Sequence, residues 1–590
     1  MDPAVKAAVD GWLNEPSIDE AHKREIRELL EKGDEKELTD RFYRELEFGT
    51  GGMRGLMGAG INRMNVYTVG AAAQGLANYI TSQGEAARAA GVAIAYDCRH
   101  NSDLFARTTA EVMAGNGIRA YLFEKLRPTP QLSFTLRRLG CTAGVVITAS
   151  HNPPAYNGFK AYWSDGAGVV PPHDRNIIAQ VRAVGSFANI RRLNLDDAIR
   201  QGLVQMLGRD ADEAFLAAID GSCLAPELVR QGAKKLKVVY TALHGTGGQI
   251  APEALRRRGF ENLIEVKEQA GPDGSFPTVE SPNPEEGAAL NMAIDLARRE
   301  GADLVIGTDP DADRVGIAVR TPDGSFALVT GNQTAALLTW YICEQRKQNG
   351  TFPDNAVVIS TIVSSDMSKD IARSYGAEVI DTLTGFKWIG EKIRQFEEQG
   401  TPDRPAKTYL FGSEESYGYM PCTYTRDKDA VTSTCYIADL AAVLATQGRT
   451  LYGLLEDLYR RYGYYHEYTK NVTLPGKEGA EKIAGMMRVL RTSPPQQIAG
   501  IAVTSIGDCS TGEIRDAAGQ VIGRYDLPKA DVVLFTLADQ TKVIARPSGT
   551  EPKIKFYILV REPAEDLAKA RTAAAAKVDR VLADIGRWTG

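Results

Sequence analysis

Three aspartates stand at alternate positions in "GTDPDADRVGIAV": Asp309, Asp311 and Asp313, directly after an apolar run. In extended chain, residues at i, i+2 and i+4 face one side. The spacing therefore predicts three carboxylates on one face. Like charges packed together are costly unless a cation neutralises them, and hard carboxylate oxygens suit Mg²⁺. An EF-hand Ca²⁺ loop would need a distal Glu that this spacing lacks. The plain alternative is a polar turn between strands.

A second apolar run, Val145 to Ile147, stops at Ser150 in "GVVITASHNPPAYNGFKAYW", with His151, Asn152 and two prolines following. Such a serine is either a nucleophile or the N-cap of a helix. The chain has no G-x-S-x-G elbow of an esterase. "GSEESYGY" supplies Glu414, Glu415 and Ser416, acceptors suited to sugar hydroxyls, and "RDKDAV" supplies Lys428 between two aspartates. "ARPSGTEPKIKFY" holds Arg546, Ser548, Gly549, Thr550, Lys553 and Lys555, an arginine fork beside hydroxyls and a glycine turn, the makings of an anion nest. "FGTGGMRG" surrounds Arg54 with glycines, and "ALHGTGG" resembles a phosphate loop but lacks the Lys-Ser/Thr of a P-loop.

The elements that must hold these loops repeat one theme. "GVAIAYD", "RAYLFE" and "AGVVITAS" read as strands separated by two helices, and the chain ends this unit at Ser150. "KVVYTALHG", "NLIEVKE" and "ADLVIGTDPDADR" form a second unit ending at the aspartates; "NAVVIST", "AEVIDTL" and "TYLFGSEESYG" form a third ending at Glu414. The expected fold class is α/β: three similar α/β/α domains with mainly parallel sheets, plus a smaller C-terminal α+β domain, around a central cleft. The expected divisions are a helical extension over 1–46, domains over 47–208, 209–324 and 325–462, and the last domain over 463–590. Ligands of open α/β sheets bind beyond the carboxyl ends of strands, where all three loops fall.

With 590 residues, one hydrophobic core is not enough, which agrees with several domains. A net charge of −6 argues against nucleic acid or an anionic membrane as partner. The N-terminus lacks the basic start and apolar core of a signal peptide, and no long apolar run suggests a membrane span. The seven cysteines form no CxxC pair, so reduced thiols in a cytoplasmic protein are expected. A serine, a divalent metal, a carboxylate loop and a separate anion nest together suit one task, the movement of phosphate between two positions of a sugar.

The sequence resembles the α-D-phosphohexomutases. "TASHNP" (148–153) is similar to the family's phosphoserine loop, "DPDADR" (309–314) to its metal loop, "GSEESYG" (412–418) to its sugar loop and "RPSGTEPKIK" (546–555) to its phosphate loop, in family order over nearly the whole chain. The N-terminal extension and "FGTGGMRGLMGAGINRMN" (48–65) resemble the longer branch, which holds bacterial α-phosphoglucomutases and phosphopentomutase-like enzymes. The resemblance implies interconversion of glucose 1-phosphate and glucose 6-phosphate, with a phosphorylated Ser150 that shares Mg²⁺ with Asp309, Asp311 and Asp313, and glucose 1,6-bisphosphate as intermediate and activator. It further implies Lys428 as general acid/base, with burial beside cations lowering its pKa. Arg54, His151, Lys160 and Arg314 would line the reacting phosphoryl group, although alternation in extended chain would turn His151 away from Ser150. Thr384 and Gly385 would join Glu414, Glu415 and Ser416 as sugar contacts, and Arg546, Ser548, Gly549, Thr550 and Lys555 would hold the unreactive phosphate. Glu-Glu-Ser resembles the glucose-preferring enzymes, which leaves phosphomannomutase and phosphopentomutase as alternatives within the family. A metal-dependent sugar phosphatase and a non-catalytic sugar-phosphate binder are the alternatives outside it. The only partner implied is a small sugar phosphate.

Overall fold

The computed structural model describes residues 1–49, 51–401, 404–548 and 553–589. Its first helices, Pro3–Asn14, Glu20–Lys32 and Glu35–Phe42, each begin on an aspartate whose side chain accepts a first-turn N–H: Asp2 from Ala4, Asp19 from His22 and Asp34 from Glu37. These caps satisfy donors that a helix start leaves without intrahelical partners. Trp12, Ile26, Leu38 and Phe42 bury their side chains against Tyr67 and Phe187 of the following layer. Arg41 donates to the Ala59 carbonyl at 3.0 Å, and its own carbonyl accepts from Asn62 at 3.0 Å. The helical extension thus braces the glycine-rich segment that carries Arg54.

Three mixed sheets follow. The first orders its strands Gly52–Leu56, Tyr156–Trp163, Ala143–Ile147, Val92–Tyr96, Ala120–Phe123 and Val204–Leu207. The second orders Phe326–Val329, Val315–Arg320, Leu304–Thr308, Val238–Thr241 and Leu263–Glu265; the third orders Glu378–Thr382, Ala356–Thr361, Thr408–Glu414 and Gly418–Met420. Strands joined by helical crossovers pair in parallel. The strand after each predicted loop instead returns antiparallel to the strand before it. A hairpin return needs only a short loop, whereas a parallel return needs a crossover. The sequence reading of mainly parallel sheets missed these return strands, because each follows a segment dense in turn residues.

The C-terminal region builds an antiparallel sheet in the order Tyr464–Thr473, Lys553–Glu562, Lys542–Pro547, Val533–Leu537, Ile501–Asp508, Glu513–Asp516 and Val521–Arg524. The helices Gly476–Thr492 and Leu567–Thr589 belong to the same region. One connected apolar core runs from Phe215 through the buried helix Ala430–Thr446 to Ile585, while the first sheet packs around a core of its own. No helix among the described residues is long and apolar enough to cross a membrane.

Candidate active site

The strand Ala143–Ile147 is buried at every position and delivers the chain to Ser150. Thr148 accepts the Ser150 N–H on its Oγ1 at 2.8 Å. Ser150 has a φ of +53°, in the left-handed region that non-glycine residues seldom adopt. The chain turns there and re-enters the sheet as Tyr156–Trp163, so Ser150 is not a helix cap. Its buried hydroxyl donates to Asp309 Oδ2 at 2.8 Å, joining residues 159 apart in sequence. His151 Nδ1 lies 3.3 Å from Ser150 Oγ. The expectation that His151 faces away fails because the left-handed serine breaks the extended alternation. Burial, reinforced by the positive charge of Arg314, pushes the His151 imidazole down to about 3, which keeps it neutral near neutral pH.

The three aspartates converge for a different reason from the one their spacing suggests. Residues 309–314 form a tight turn, with Ala312 at φ +50°. Asp309 Oδ1 closes this turn by accepting the N–H groups of Asp313 at 3.0 Å and Arg314 at 2.9 Å. One oxygen of each carboxylate then lies within 4.8 Å of the others, and all three residues are buried. Burial and the neighbouring Asp311 and Asp313 charges push Asp309 well above the usual carboxylate range. Burial would also raise Asp311, but the Lys160 ammonium holds it below that range.

Asp311 Oδ1 and Asp313 Oδ1 are buried without a hydrogen-bond donor among the described residues. Buried acceptors left unpaired are costly. Three converging carboxylates with two oxygens open, next to a serine hydroxyl, fit a small hard divalent cation such as Mg²⁺.

Cations surround the triad. Lys160 Nζ is 2.7 Å from Asp311 Oδ2 and 3.5 Å from Asp313 Oδ2; Lys428 Nζ is 3.0 Å from Asp313 Oδ2. Burial alone would lower the Lys428 ammonium, but Asp313, Asp427 and Glu414 carry it above the ordinary lysine value. This reverses the shift expected from sequence, which counted cations near Lys428 and overlooked the nearer carboxylates. Arg314 pairs with Glu285, and its Nε stands 3.8 Å from Asp313 Oδ1. Arg54, on the edge strand, donates to Asn152 Oδ1 at 2.9 Å beside the serine loop.

The loop after Thr408–Glu414 lies against the aspartate turn. Val315 donates its N–H to the Tyr417 carbonyl at 3.1 Å. Glu414 is buried and accepts the Gly385 N–H at 2.6 Å, which brings the predicted sugar contacts of two loops together. Gly385 has a φ of +115°, a conformation that favours glycine. Burial and the Glu414 charge push Glu415 up to about 7, opposed by Arg546 and Lys555. Arg546 donates to Tyr557 at 3.3 Å, and with Thr384 and Trp388 it lines a cavity of about 130 Å³. Ser548 donates its N–H to the Lys553 carbonyl at 2.7 Å, and Arg546 and Lys555 pair across the hairpin. Ser416 follows Glu415 in the turn before Gly418–Met420. Gly549 and Thr550 lie outside the described residues.

Several residues that hold this arrangement carry no local sequence signal. Thr129 donates its hydroxyl to Asp311 Oδ2 at 3.1 Å and its N–H to the Asp311 carbonyl at 2.9 Å. Thr246, in "ALHGTGG", donates its N–H to the Pro310 carbonyl at 2.8 Å, and a Cβ on Gly245 would stand 2.4 Å from Pro310 Cα. That glycine-rich segment cradles the aspartate turn, so its glycines serve close packing. Tyr162 donates to Asp427 Oδ2 at 2.8 Å beside Lys428. The assembled site can hold a cation at a serine, surround that point with positive charge, and offer carboxylates to hydroxyl groups at a short distance.

Family models described as phosphoglucomutase/phosphomannomutase alpha/beta/alpha domains I, II and III match residues 45–186, 213–324 and 330–462. A phosphoglucomutase of Staphylococcus aureus is 36% identical over 550 residues, covering 92% of this chain and 95% of that protein. Among solved structures, the Paramecium phosphoprotein pp63/parafusin (phosphoglucomutase) in its open form is 18% identical with a TM-score of 0.67, covering 93% of this chain and 96% of that one. A phosphoglucomutase/phosphomannomutase family protein of Burkholderia thailandensis is 16% identical with a TM-score of 0.62, covering 92% of this chain and 97% of that one. At these identities the two structures speak for the fold.

Proposed function

Because the chain belongs to the phosphoglucomutase/phosphomannomutase family, whose enzymes are isomerases of sugar phosphates, we propose that it interconverts glucose 1-phosphate and glucose 6-phosphate. In this reading Ser150 carries the transferable phosphate and glucose 1,6-bisphosphate is the intermediate. The observation that carries it is the Ser150 hydroxyl 2.8 Å from Asp309 Oδ2, within a triad of buried carboxylates.

Asp309, Asp311 and Asp313 would hold Mg²⁺ next to Ser150, where it supplies charge stabilisation to the phosphoryl oxygens. A sugar hydroxyl attacks phosphorus, a new P–O bond forms to the sugar, and the bond from phosphorus to Ser150 Oγ breaks. One proton leaves the sugar hydroxyl and one returns to Ser150 Oγ, so the step balances. His151 Nδ1 at 3.3 Å from Ser150 Oγ and Lys428 Nζ beside Asp313 are the groups assigned to carry it. Lys160, Arg54 and Arg314 orient the group in transit by their positive charge. The bisphosphate then turns over and returns its other phosphate to Ser150. Glu414, Glu415 and Ser416, with Thr384 and Gly385, receive the sugar hydroxyls in both orientations, and Arg546, Ser548 and Lys555 hold the phosphate that does not react.

The test is incubation of glucose 1-phosphate with Mg²⁺ and a trace of glucose 1,6-bisphosphate, followed by assay of glucose 6-phosphate and free phosphate. Isomer without free phosphate is the expected result. Free phosphate would identify a phosphatase, and no turnover a binding protein. A greater kcat/KM for mannose 1-phosphate or ribose 1-phosphate would overturn the glucose assignment and keep the mutase.

A further inference from the structure

Arg99 lies between the strand Val92–Tyr96 and the helix Ser102–Gly115, and is only 3% exposed. Its guanidinium donates to the carbonyls of Ser150 at 2.6 Å, Pro153 at 2.9 Å and Tyr156 at 3.1 Å, and also to that of Asn152. These are the carbonyls of the serine turn. Pro153 and Pro154 have no N–H to donate, so the turn has few backbone donors of its own. Its internal bonds run from Asn152 N–H to Ala149 and from Tyr156 N–H to Pro153. An arginine fork has five donors in a fixed plane; a lysine has three on a mobile stem. Asp97 Oδ2 stands 3.4 Å from Arg99 Nε and pairs its charge.

The guanidinium also meets the metal-bearing domain. The Phe276 ring centroid is 5.1 Å from its central carbon. Phe276 is 1% exposed and has a φ of +48°, rare for a bulky side chain and a mark of a conformation imposed by its surroundings. Ser275 Oγ lies 2.9 Å from His100 Nε2. A Cβ on Gly274 would stand 2.7 Å from the His100 nitrogen and 2.8 Å from the Cys98 carbonyl oxygen.

We propose that Arg99 is the positioning residue of Ser150, and that the Gly274–Phe276 segment makes this clamp depend on docking of the metal-bearing domain. The proposal rests on the reading that Ser150 carries the transferred phosphate. Arg99 fixes the backbone from the Ser150 carbonyl through that of Tyr156, which keeps the serine hydroxyl on Asp309. Misplacement of a reacting atom by about 1 Å costs on the order of a hundredfold in rate.

Arg99→Lys and Gly274→Ala, made in the full chain, test it. The first keeps the charge facing Asp97 and loses the fork; the second leaves Arg99 intact and pushes the Phe276 segment off. Hydrogen exchange of peptides spanning 149–157, in dephosphorylated protein, is expected to quicken in both variants, with peptides of the C-terminal region unchanged. For glucose 1-phosphate, kcat is expected to fall about a hundredfold in Arg99→Lys and about tenfold in Gly274→Ala, with KM held within about threefold. Unchanged exchange over 149–157 in both variants, or a folded Arg99→Lys with unchanged kcat, overturns the proposal. Should Arg99→Lys not fold, Gly274→Ala decides by the same two measurements. A wild-type chain that never carries phosphate on Ser150 would sink the mutase reading instead, and the exchange comparison would still decide the clamp.

Discussion

The Thr129 hydroxyl donates to Asp311 Oδ2 at 3.1 Å, from a helix of the first domain to a carboxylate of the second. The same oxygen faces Lys160 Nζ at 2.7 Å, so its orientation is fixed from two sides and Asp311 Oδ1 is left open. A hydrogen bond to a charged group contributes roughly 1.5–3 kcal/mol. Thr129→Val, nearly isosteric, should raise the Mg²⁺ concentration for half-maximal activity by roughly tenfold. Mn²⁺ binding followed by electron paramagnetic resonance checks this without reference to turnover. An unchanged titration would make Thr129 a packing residue.

Ser150→Ala should fold and lose at least about 10⁴-fold in mutase rate, because the other hydroxyl held against the triad, Thr129, donates to Asp311 from a neighbouring helix and does not stand at the serine turn. Intact-mass analysis of the active wild type should show one phosphate, and peptide mapping should place it on Ser150. A phosphate elsewhere, or an active alanine variant, rules out the covalent route.

Arg546 stands on the hairpin opposite Lys555 and borders the cavity that Thr384 and Trp388 share. A charge-assisted arginine–phosphate pair is worth about 1.5–3 kcal/mol, so Arg546→Ala should raise KM by roughly ten- to a hundredfold. A weaker grip should also let the bisphosphate escape between its two transfers. Activity of the variant should then decay with time and recover when glucose 1,6-bisphosphate is added. Equal KM and indifference to added bisphosphate would reduce the segment to an ordinary hairpin.

Arg258 and Asp439 form a buried pair, with Nη1 2.6 Å from Oδ2, linking the second domain to the buried helix of the third. Breaking such a pair on one side leaves a buried charge unmatched and costs about 3–5 kcal/mol. Arg258→Ala should shift the urea midpoint strongly, and Arg258→Met with Asp439→Leu should recover most of the loss. If the double variant is as unstable as the single one, the hydrogen bonds from Arg258 to the Ile219 carbonyl and Ser222 carry the stability.

The chemistry was legible where one short segment contains it. Ser150 and the three aspartates each follow an apolar strand and Glu414 ends one, and strand ends carry sites in α/β folds. The reason for the aspartate spacing was misread, since convergence comes from a turn at Ala312 that alternation does not reveal. Arg99, Thr129 and Glu285 were not legible at all, and the "ALHGTGG" segment of Gly245 drew notice only as a likeness to a phosphate loop. Each acts on a partner more than 25 residues away through an ordinary side chain or a missing one, and contacts of that kind leave no periodicity. The Lys428 shift was misjudged for a related reason: the adjacent Asp427 was in view, but the largest opposing charge, Asp313, and Glu414 are brought near only by the fold.

The serine, aspartate and Glu414 loops are each fastened at both ends to adjacent strands of one sheet, by the hairpin return that follows. A loop so fastened has given up most of its conformational freedom when the chain folds. An arriving ligand therefore meets groups already in place, and little of its binding energy is lost to ordering them. The entropy of the loop is settled once, at folding, and does not recur with each turnover.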